Sequence, residues 1–534
     1  MQIRVHNQML LPGFKMADLV SRSIHHEDPQ SGKTPGDRFE TIDDHQHITI
    51  LHTNDLHAQL ESTSDGANVN KQMGGMSVIT GKINEEREKC EGSYLVLDAG
   101  DISSGSPVSN YFKGIPMIDM LNSAEYDAMV IGNHDIDEGS DALKAMVDRA
   151  KFPILASNLV DKTETGELSK VQPYIIKQCG NIKVGIVGVT TQDTMSMLRP
   201  DDKKKIELTV AETAVRKSID QMKEEGAKII VVLSHLGLEG DKQLAENVKG
   251  IHLIVGGHSH SELTAPVKVG DTAIVQTGTA GRNLGKVELD VVTQKGETKI
   301  SAMKSKLIPV EVRGTTEQLF VNNLVHTYSE KLAPIMNEKI GNSTVELSQP
   351  DYHTNVGESP LTNFVIDTIR EHTGADVAIM HSSTLRTKIP AGEIKKGTIY
   401  QMLPWNTHLT DVKMTGKQIR QGIEEIMGSF LHNFTASGLI VEFDTSKMSG
   451  EKVVNLYDKS GKPLDPEKTY NVTTISWLAD GNANVSAFQN GSDRVDRKTE
   501  LKEILMDKIK TTGTITAGID GRTSNLASAH SETC

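Results

Sequence analysis

The stretch "YDAMVIGNHDIDEG" (residues 126–139) joins an apolar run to a polar loop with a glycine at each end. Its first half, 126–131, has the length and apolar character of a buried strand. Its second half, 132–139, carries one amide, one imidazole and three carboxylates. Open α/β sheets collect their ligand groups in such loops at strand ends. The stretch therefore predicts a strand that leads into a functional loop of an α/β fold.

The same pattern, an apolar strand followed by a polar turn, recurs between residues 47 and 310. Helical stretches lie between several of these strands, at 77–90, 139–151 and 209–226. This alternation indicates a layered α/β fold in which helices cover the faces of the sheets. The predicted strands are 48–53, 94–100, 128–133, 153–158, 183–190, 228–235, 252–257 and 273–278.

The pattern changes near residue 310, and it predicts a second α/β domain. Residues 315–341 read as one or two helices, and 345–525 mix helices with strands around a core of their own. The predicted organisation is a disordered tail over 1–44, a first domain over 45–312, a helical connector over 313–344, a second domain over 345–525 and a tail over 526–534.

The composition of the 534 residues limits the classes of function. A net charge of −14 argues against binding of nucleic acid polymers or anionic membranes through a basic surface. Three cysteines, Cys90, Cys179 and Cys534, are too few and too scattered for a disulfide framework or a thiolate metal site. No apolar stretch of about 18 residues predicts a membrane span. Residues 1–44 hold no segment of signal-peptide type, so a cytoplasmic location is expected by default.

The polar turns place hard metal ligands at five strand ends. Carboxylates and imidazoles without thiolates suit Zn²⁺, Mn²⁺ or Fe rather than a structural cysteine site. Taken alone, each residue has a structural reading, because a turn aspartate usually caps a helix and a lone histidine is usually hydrogen-bonded. Five such turns in one domain together favour a site for two metal ions. The candidates are Asp55 and His57; Asp98 and Asp101; Asn133, His134, Asp135 and Asp137; His235; and His258 and His260.

These motifs resemble a known family. Their order is similar to the metallophosphoesterase pattern, and "ILHTNDLHAQLE", "DAGDISSGSP", "IGNHDIDEG" and "ILASNL" resemble the 5′-nucleotidase / 2′,3′-cyclic nucleotide phosphodiesterase family. The resemblance covers about 47–310 with all motifs in order. It implies a calcineurin-like four-layer α/β sandwich, followed by a C-terminal domain that binds the nucleoside part of the substrate. Members of this family are often exported or held at the cell surface.

The resemblance implies two divalent metal ions, zinc, manganese or similar. A carboxylate between them would reduce the repulsion of the two charges, and both ions would bind the phosphoryl group and the attacking water. The implied ligands are Asp101 as the bridge, Asp55, His57 and His260 on one ion, and Asn133, His235 and His258 on the other.

The resemblance also divides the loop 132–139. His134 is similar to the family's catalytic histidine, and Asp137 would fix its tautomer and orientation. The alternative for Asp137 is a cap of the helix that begins near Gly139. Asp135 and Glu138 are expected to be the least important members of the loop.

The second domain resembles the family's substrate-binding domain but departs from it where specificity lies. The family's Asn-Gly-Gly-Gly-Ile-Arg segment is His381-Ser-Ser-Thr-Leu-Arg386 here, and Arg386 would hold an anion. The family's pair of base-stacking aromatic residues corresponds to Trp405 and Trp477, with two interior or domain-interface tryptophans as the alternative. The family's ribose-binding aspartate is Ala483, and no arginine stands in 350–360, where the family often has one.

The predicted function is metal-dependent hydrolysis of phosphate esters. The main prediction is a 5′-nucleotidase that releases phosphate from nucleoside monophosphates by attack of a metal-bound hydroxide. A 2′,3′-cyclic nucleotide phosphodiesterase, or a hydrolase of nucleotide sugars or other phosphate esters, stays open because the same metal site serves all of them. The alternative from another class is a metal-binding module that has lost nucleotide recognition. The expected partner is a small-molecule nucleotide, and the sequence carries no signal for an oligomeric state.

Overall fold

The structure is a computed structural model that describes residues 44–65, 68–198, 201–349 and 358–529. The two predicted tails lie outside these ranges, apart from Asp44 in the first strand and the short helix Leu526–Ala529. Within the described ranges, no helix is long and apolar enough to cross a membrane. Cys90 and Cys179 are free thiols.

The first sheet holds the strands that lead into three of the polar turns. Asp44–Thr53 pairs in parallel with Ser93–Asp98, and Ser93–Asp98 pairs in parallel with Ala128–Val130. These strands are apolar on both faces because both faces of the sheet are covered. In sheet order the six strands are Glu297–Pro309, Asn283–Gln294, Asp44–Thr53, Ser93–Asp98, Ala128–Val130 and Ile154–Leu155.

The second sheet holds the strands that lead into the other two turns. Ile229–His235 lies between Ile182–Thr190 and Leu253–Gly256, parallel to both, and all of its residues are buried. In sheet order the six strands are Val267–Val269, Thr272–Val275, Leu253–Gly256, Ile229–His235, Ile182–Thr190 and Tyr174–Cys179.

The two sheets face each other, and helices cover their outer faces. One core cluster contains residues of both sheets, such as Ile50 of the first and Leu233 of the second. The helices on the first sheet are Met76–Glu88, Ile115–Ser123, Ser140–Arg149 and Leu319–Met336, and those on the second sheet are Ala211–Glu224 and Gly237–Asn247. This order of helix, sheet, sheet and helix confirms the predicted four-layer α/β sandwich.

The C-terminal domain has one large core of its own around a five-stranded sheet. In sheet order, the strands of the five-stranded sheet are Phe434–Ser437, Val377–His381, Thr469–Ile475, His408–Thr415 and Ser492–Glu500. One three-stranded sheet consists of Gly392–Lys395, Lys339–Ser343 and Thr514–Ile515. The other consists of Val453–Asp458, Leu439–Phe443 and Thr523–Asn525. Its longer helices are Pro360–Thr373, Lys396–Met402, Gly416–Gly428 and Leu501–Thr512. The single helix Leu319–Met336 occupies most of the predicted connector, and the exact domain boundaries stay a prediction.

The polar turns meet because they follow the carboxyl ends of parallel strands. The turn after Asp44–Thr53 is bonded to the turn after Ser93–Asp98, with Asp55 N donating to Gly100 O and His57 N to Asp101 O, both at 2.9 Å. Backbone hydrogen bonds between turns therefore hold these ligand-bearing segments in register.

Candidate metal centre and substrate cavity

The first ligand group contains Asp55, His57 and His260, drawn from the two different sheets. The Nε2 atoms of His57 and His260 lie 3.0 Å apart, and Asp55 Oδ1 lies 3.4 Å from His260 Nε2. Since an imidazole nitrogen binds zinc at about 2.0–2.1 Å, two ring nitrogens at this separation can share one ion. Burial lowers the pKa of His57 to about 4, so this ring is neutral and keeps a lone pair for a metal.

The second ligand group contains Asp101, His235 and His258, with the amide of Asn133 beside them. Asp101 Oδ2 lies 3.1 Å from His235 Nε2, and Asn133 Oδ1 lies 2.8 Å from His258 Nδ1. Nδ1 of His235 is bonded to the backbone oxygen of Ala99 at 2.7 Å, which leaves Nε2 to face the ligand group.

The two ligand groups are adjacent, so their charged and polar side chains interact electrostatically. Asp55 Oδ1 lies 4.0 Å from both His57 Nε2 and His235 Nε2, one in each group. Although burial favours the neutral acid, His235 and His134 hold the pKa of Asp101 below its usual range. Burial would lower the pKa of His235, but Asp101 raises it to about 10. Positive charge is therefore favoured between these carboxylates, as a divalent cation that displaces the proton would supply.

The backbone of the ligand turns adopts a conformation that is uncommon for residues with side chains. A positive φ in a residue other than glycine costs on the order of 1–3 kcal/mol and clusters at functional sites. The ligand candidates with positive φ are Asp55 (50°), His57 (45°), Asp101 (56°), His258 (72°) and His260 (52°). Their donor set, which consists of carboxylate, imidazole and amide groups, fits divalent metal ions.

His134 and Asp137 form a hydrogen-bonded pair beside the ligand groups. His134 Nδ1 donates to Asp137 Oδ2 at 2.8 Å, and Ser104 Oγ donates to the same oxygen at 2.8 Å. Burial alone would lower the pKa of His134, but Asp137 and Asp101 raise it to about 9. The helix Ser140–Arg149 has no side-chain cap from Asp137, and its first residue instead donates to Asp202. Asp137 therefore faces the imidazole rather than the helix.

Asp135 has a larger structural role than the sequence indicated. Its Oδ2 accepts from the backbone N–H groups of Gly132 at 2.9 Å and Asp101 at 3.0 Å. Its Oδ1 accepts from the backbone N–H of Ser103 at 3.0 Å and from the Ser103 hydroxyl at 2.9 Å. This carboxylate joins the loop 132–139 to the turn that carries Asp101.

One cavity of about 360 Å³ connects the metal ligands to the C-terminal domain. On the N-terminal side its lining includes His57 and His260 of the first ligand group and the pair His134 and Asp137. All four predicted substrate-binding residues also line this cavity and belong to the C-terminal domain, namely His381, Arg386, Trp405 and Trp477. The structure therefore brings the sequence candidates of both domains to one cavity.

The two tryptophans have different partners within this cavity. The indole of Trp405 stacks on the imidazole of His134, with ring centroids 4.9 Å apart and an interplanar angle of 26°. The Arg386 guanidinium lies 5.9 Å from the centre of the Trp405 ring. The indole of Trp477 instead meets the ring of His381 edge to face at 5.4 Å. Trp405 thus lies directly over His134, which sequence reasoning did not foresee.

The ring nitrogens of His381 are engaged by hydroxyls of its own loop. Nδ1 lies 2.7 Å from Ser383 Oγ, and Nε2 lies 3.2 Å from Thr384 Oγ1. Burial and then Arg386 lower the pKa of His381 to about 4, so the ring is neutral. Ala483, at the family's ribose-binding position, packs against the core with φ 57°.

Sequence reasoning missed several polar residues of the cavity wall, among them Asn406, Asp480 and Arg494. Asp480 Oδ1 lies 2.6 Å from Arg494 Nη2, and its Oδ2 lies 3.6 Å from Lys203 Nζ. Asn406 and Asp480 are close in sequence to the two tryptophans, which was the only available signal. No local pattern connects Arg494 with the site.

A four-layer sandwich that carries paired histidine and aspartate ligand groups beside a histidine–aspartate pair is an arrangement suited to a metal-dependent phosphoesterase. Residues 48–262 match the family described as calcineurin-like phosphoesterase, and residues 339–490 match the 5′-nucleotidase C-terminal domain. The chain thus contains a calcineurin-like phosphoesterase domain followed by a 5′-nucleotidase C-terminal domain.

Several proteins of similar sequence or structure have names that refer to nucleotide hydrolysis. The chain is 28% identical to the trifunctional nucleotide phosphoesterase protein YfkN of Bacillus subtilis, over 89% of this chain and 34% of that protein. It is 26% identical to the 5′-nucleotidase of Homo sapiens, over 90% of this chain and 92% of that protein. The solved 5′-nucleotidase precursor from Thermus thermophilus is 28% identical with a TM-score of 0.71, over 90% of this chain and 99% of that one. The chain thus spans about a third of the first relative and nearly all of the other two.

Proposed function

We propose that this phosphoester hydrolase is a 5′-nucleotidase that releases inorganic phosphate from nucleoside monophosphates. One observation carries the proposal: a single cavity is lined by metal ligands and the histidine–aspartate pair of the N-terminal domain and by two tryptophans and an arginine of the C-terminal domain. A nucleotide needs both halves, because its phosphoryl group is reactive and its base is flat and aromatic. The similarity to proteins named 5′-nucleotidase supports this choice of substrate.

Within this proposal, each side chain of the N-terminal wall has a defined task. Two divalent ions held by the ligand groups would supply a water of lowered pKa and offset charge on the phosphoryl oxygens. His134, held through Nδ1 by Asp137, has Nε2 left to donate a hydrogen bond to the phosphoryl or leaving-group oxygen. Although burial alone would lower it, Asp137 and Asp101 raise the pKa of His134 to about 9, which favours the doubly protonated imidazolium that this donation requires.

The C-terminal wall would hold the nucleoside. Trp477 offers an indole face for the base, and Arg386 offers a cation for an anionic group. With Ala483 at the usual sugar-binding position, Asp480 is the carboxylate of this loop that lines the cavity. Among the described residues, its buried Oδ2 has no hydrogen-bond donor, although Lys203 is 3.6 Å away. We assign Asp480 as the acceptor for the sugar hydroxyls.

The test is phosphate release from a panel of esters with Mn²⁺ or Zn²⁺ and with a chelator. The panel contains AMP, a 2′,3′-cyclic nucleotide, a nucleotide sugar and 4-nitrophenyl phosphate. Fastest turnover of AMP is expected, with loss of activity in chelator. Faster turnover of the cyclic nucleotide would favour the phosphodiesterase alternative, and activity that survives complete metal removal would refute the metal-dependent mechanism.

A readout besides activity tests the ligand groups. Added metal is expected to raise the melting temperature of the wild-type protein, because an ion bound only by the folded state stabilises it. His260→Ala removes a partly exposed ligand of the first group and is expected to reduce that increase. An identical increase in both proteins would remove His260 from the ligand set.

A further inference from the structure

The segment 404–406 of the C-terminal domain contacts the N-terminal site at three consecutive residues. The backbone oxygen of Pro404 accepts from Asn110 Nδ2 at 2.5 Å. The indole of Trp405 stacks on His134, and Asn406 Nδ2 donates to the backbone oxygen of Asp137 at 3.4 Å. This segment therefore lies against both members of the histidine–aspartate pair.

A buried lysine stands behind this segment. Lys502, the second residue of the helix Leu501–Thr512, is 3% exposed, and its Nζ donates to Asn406 Oδ1 at 2.8 Å. The same ammonium lies 3.7 Å from Glu500 and 5.0 Å from the centre of the Tyr400 ring. A lysine is almost never fully buried unless its charge is paired. The burial of Lys502 is therefore an unusual feature that needs a physical reason.

Glu138, the neighbour of Asp137, completes the arrangement from the N-terminal side. Its carboxylate is hydrogen-bonded to the side chain of Asn406, so Asn406 joins Glu138 to Lys502 across the domain interface. Burial raises the pKa of Glu138 to about 7, and burial also lowers the pKa of Lys502. The cost of removing the charges of Glu138 and Lys502 from water thus exceeds the attraction between them. Taken alone, this arrangement lowers the stability of the folded protein.

The contacts of Trp405 show what this arrangement achieves at the active site. The imidazole of His134 contacts two rings: the Trp405 indole stacks on it, and the ring of His57 meets it with a centroid distance of 5.5 Å at 70°. The centroids of His57 and Trp405 are themselves 5.8 Å apart, so the three rings form a triangle. A flat indole against the imidazole limits rotation of that ring, and the Asp137 hydrogen bond limits it in its plane. If the 404–406 segment shifted, the imidazole would lose the stacking contact of the Trp405 indole.

We propose that Lys502 is a positioning residue for the hydrolysis, which acts through Asn406 to hold Trp405 over His134. The C-terminal domain thereby completes the catalytic geometry in addition to binding substrate. The inference rests on the proposed role of His134, and it concerns a residue that touches neither substrate nor metal.

Lys502→Met tests the proposal, with Lys508→Met as the matched control. Lys508 lies on the same helix, but it is exposed and pairs with Glu371 on the surface. With 4-nitrophenyl phosphate, which has no base to stack, Lys502→Met is expected to lower kcat about 10- to 100-fold with little change in KM, since misplacement by about 1 Å costs that much. Lys508→Met is expected to keep the wild-type kcat.

Fluorescence separates positioning from a general loss of structure. In a Trp477→Phe background Trp405 is the only tryptophan, and Lys502→Met is expected to change its emission as it leaves the imidazole. Asn406→Ala, which leaves the buried lysine in place, is expected to reproduce both effects and serves if Lys502→Met does not fold. Unchanged kcat or unchanged Trp405 emission in a folded variant would overturn the proposal. A fully active His134→Ala enzyme would instead overturn the proposed role of His134.

Discussion

Glu138→Gln is the substitution whose effect on stability can be worked out furthest. Glu138 lies at the domain interface, hydrogen-bonded to Asn406 and near Glu500 and Lys502. Glutamine has the same shape and can keep the hydrogen bond to Asn406, so the change removes the titration and little else.

The expected size follows from the pKa of the carboxyl group. Burial, and then the neighbouring carboxylate of Glu500, raise the pKa of Glu138 from 4.5 to about 7 in the folded protein. The folded state therefore binds the proton more tightly than the unfolded state does. The stability from this proton is fully present below about pH 4.5 and is lost as the pH rises to about 7. At 1.36 kcal/mol for each pKa unit, the loss is about 3 kcal/mol.

The assay is urea unfolding of the wild type and Glu138→Gln at about pH 5 and about pH 8, on either side of most of this titration. We compare the free energy of unfolding of Glu138→Gln with that of the wild type at each pH. The difference, variant minus wild type, is expected to be about 2–3 kcal/mol larger at the upper pH than at the lower pH. Glu239→Gln, which removes an exposed carboxylate paired with Lys242, is the control for the loss of a surface charge. The same relative stability at both pH values would refute the reasoning.

Two further predictions concern catalysis and substrate binding. Asp137→Asn is expected to lower kcat by about 10²- to 10⁴-fold because it removes the carboxylate that orients His134. Steady-state kinetics should show no such loss for Asp141→Asn, an exposed aspartate of the following helix, and an active Asp137→Asn enzyme would exclude the orienting role. Trp477→Ala is expected to raise KM for AMP about tenfold, since stacking of a base is worth about 1–3 kcal/mol. KM for 4-nitrophenyl phosphate should stay the same, and an equal rise for both substrates would count against base stacking.

The sequence by itself determined the layered fold and the chemistry of the metal ligands. A strand followed by a polar turn is encoded locally, by apolar residues of strand length and then glycine and hydrogen-bonding side chains. Carboxylate and imidazole types identify hard-metal sites in the same local way. For this reason the members of both ligand groups were among the candidates before any contact was known, and the resemblance to the metallophosphoesterase pattern divided them into Asp55, His57 and His260 on one ion and Asp101, His235 and His258 around the other.

Only the tertiary structure decided how the C-terminal domain meets the loop 132–139. Asn406 and the Asp137 carbonyl that it contacts are 269 residues apart, and no periodicity relates them. The sequence indicated two tryptophans in loops, but the docking of two separate cores decides that Trp405 covers His134 while Trp477 meets His381. The same docking buries Glu138 and Lys502, which in the sequence look like ordinary surface charges. Burial depends on which surfaces meet, and that is a property of the folded chain rather than of any segment.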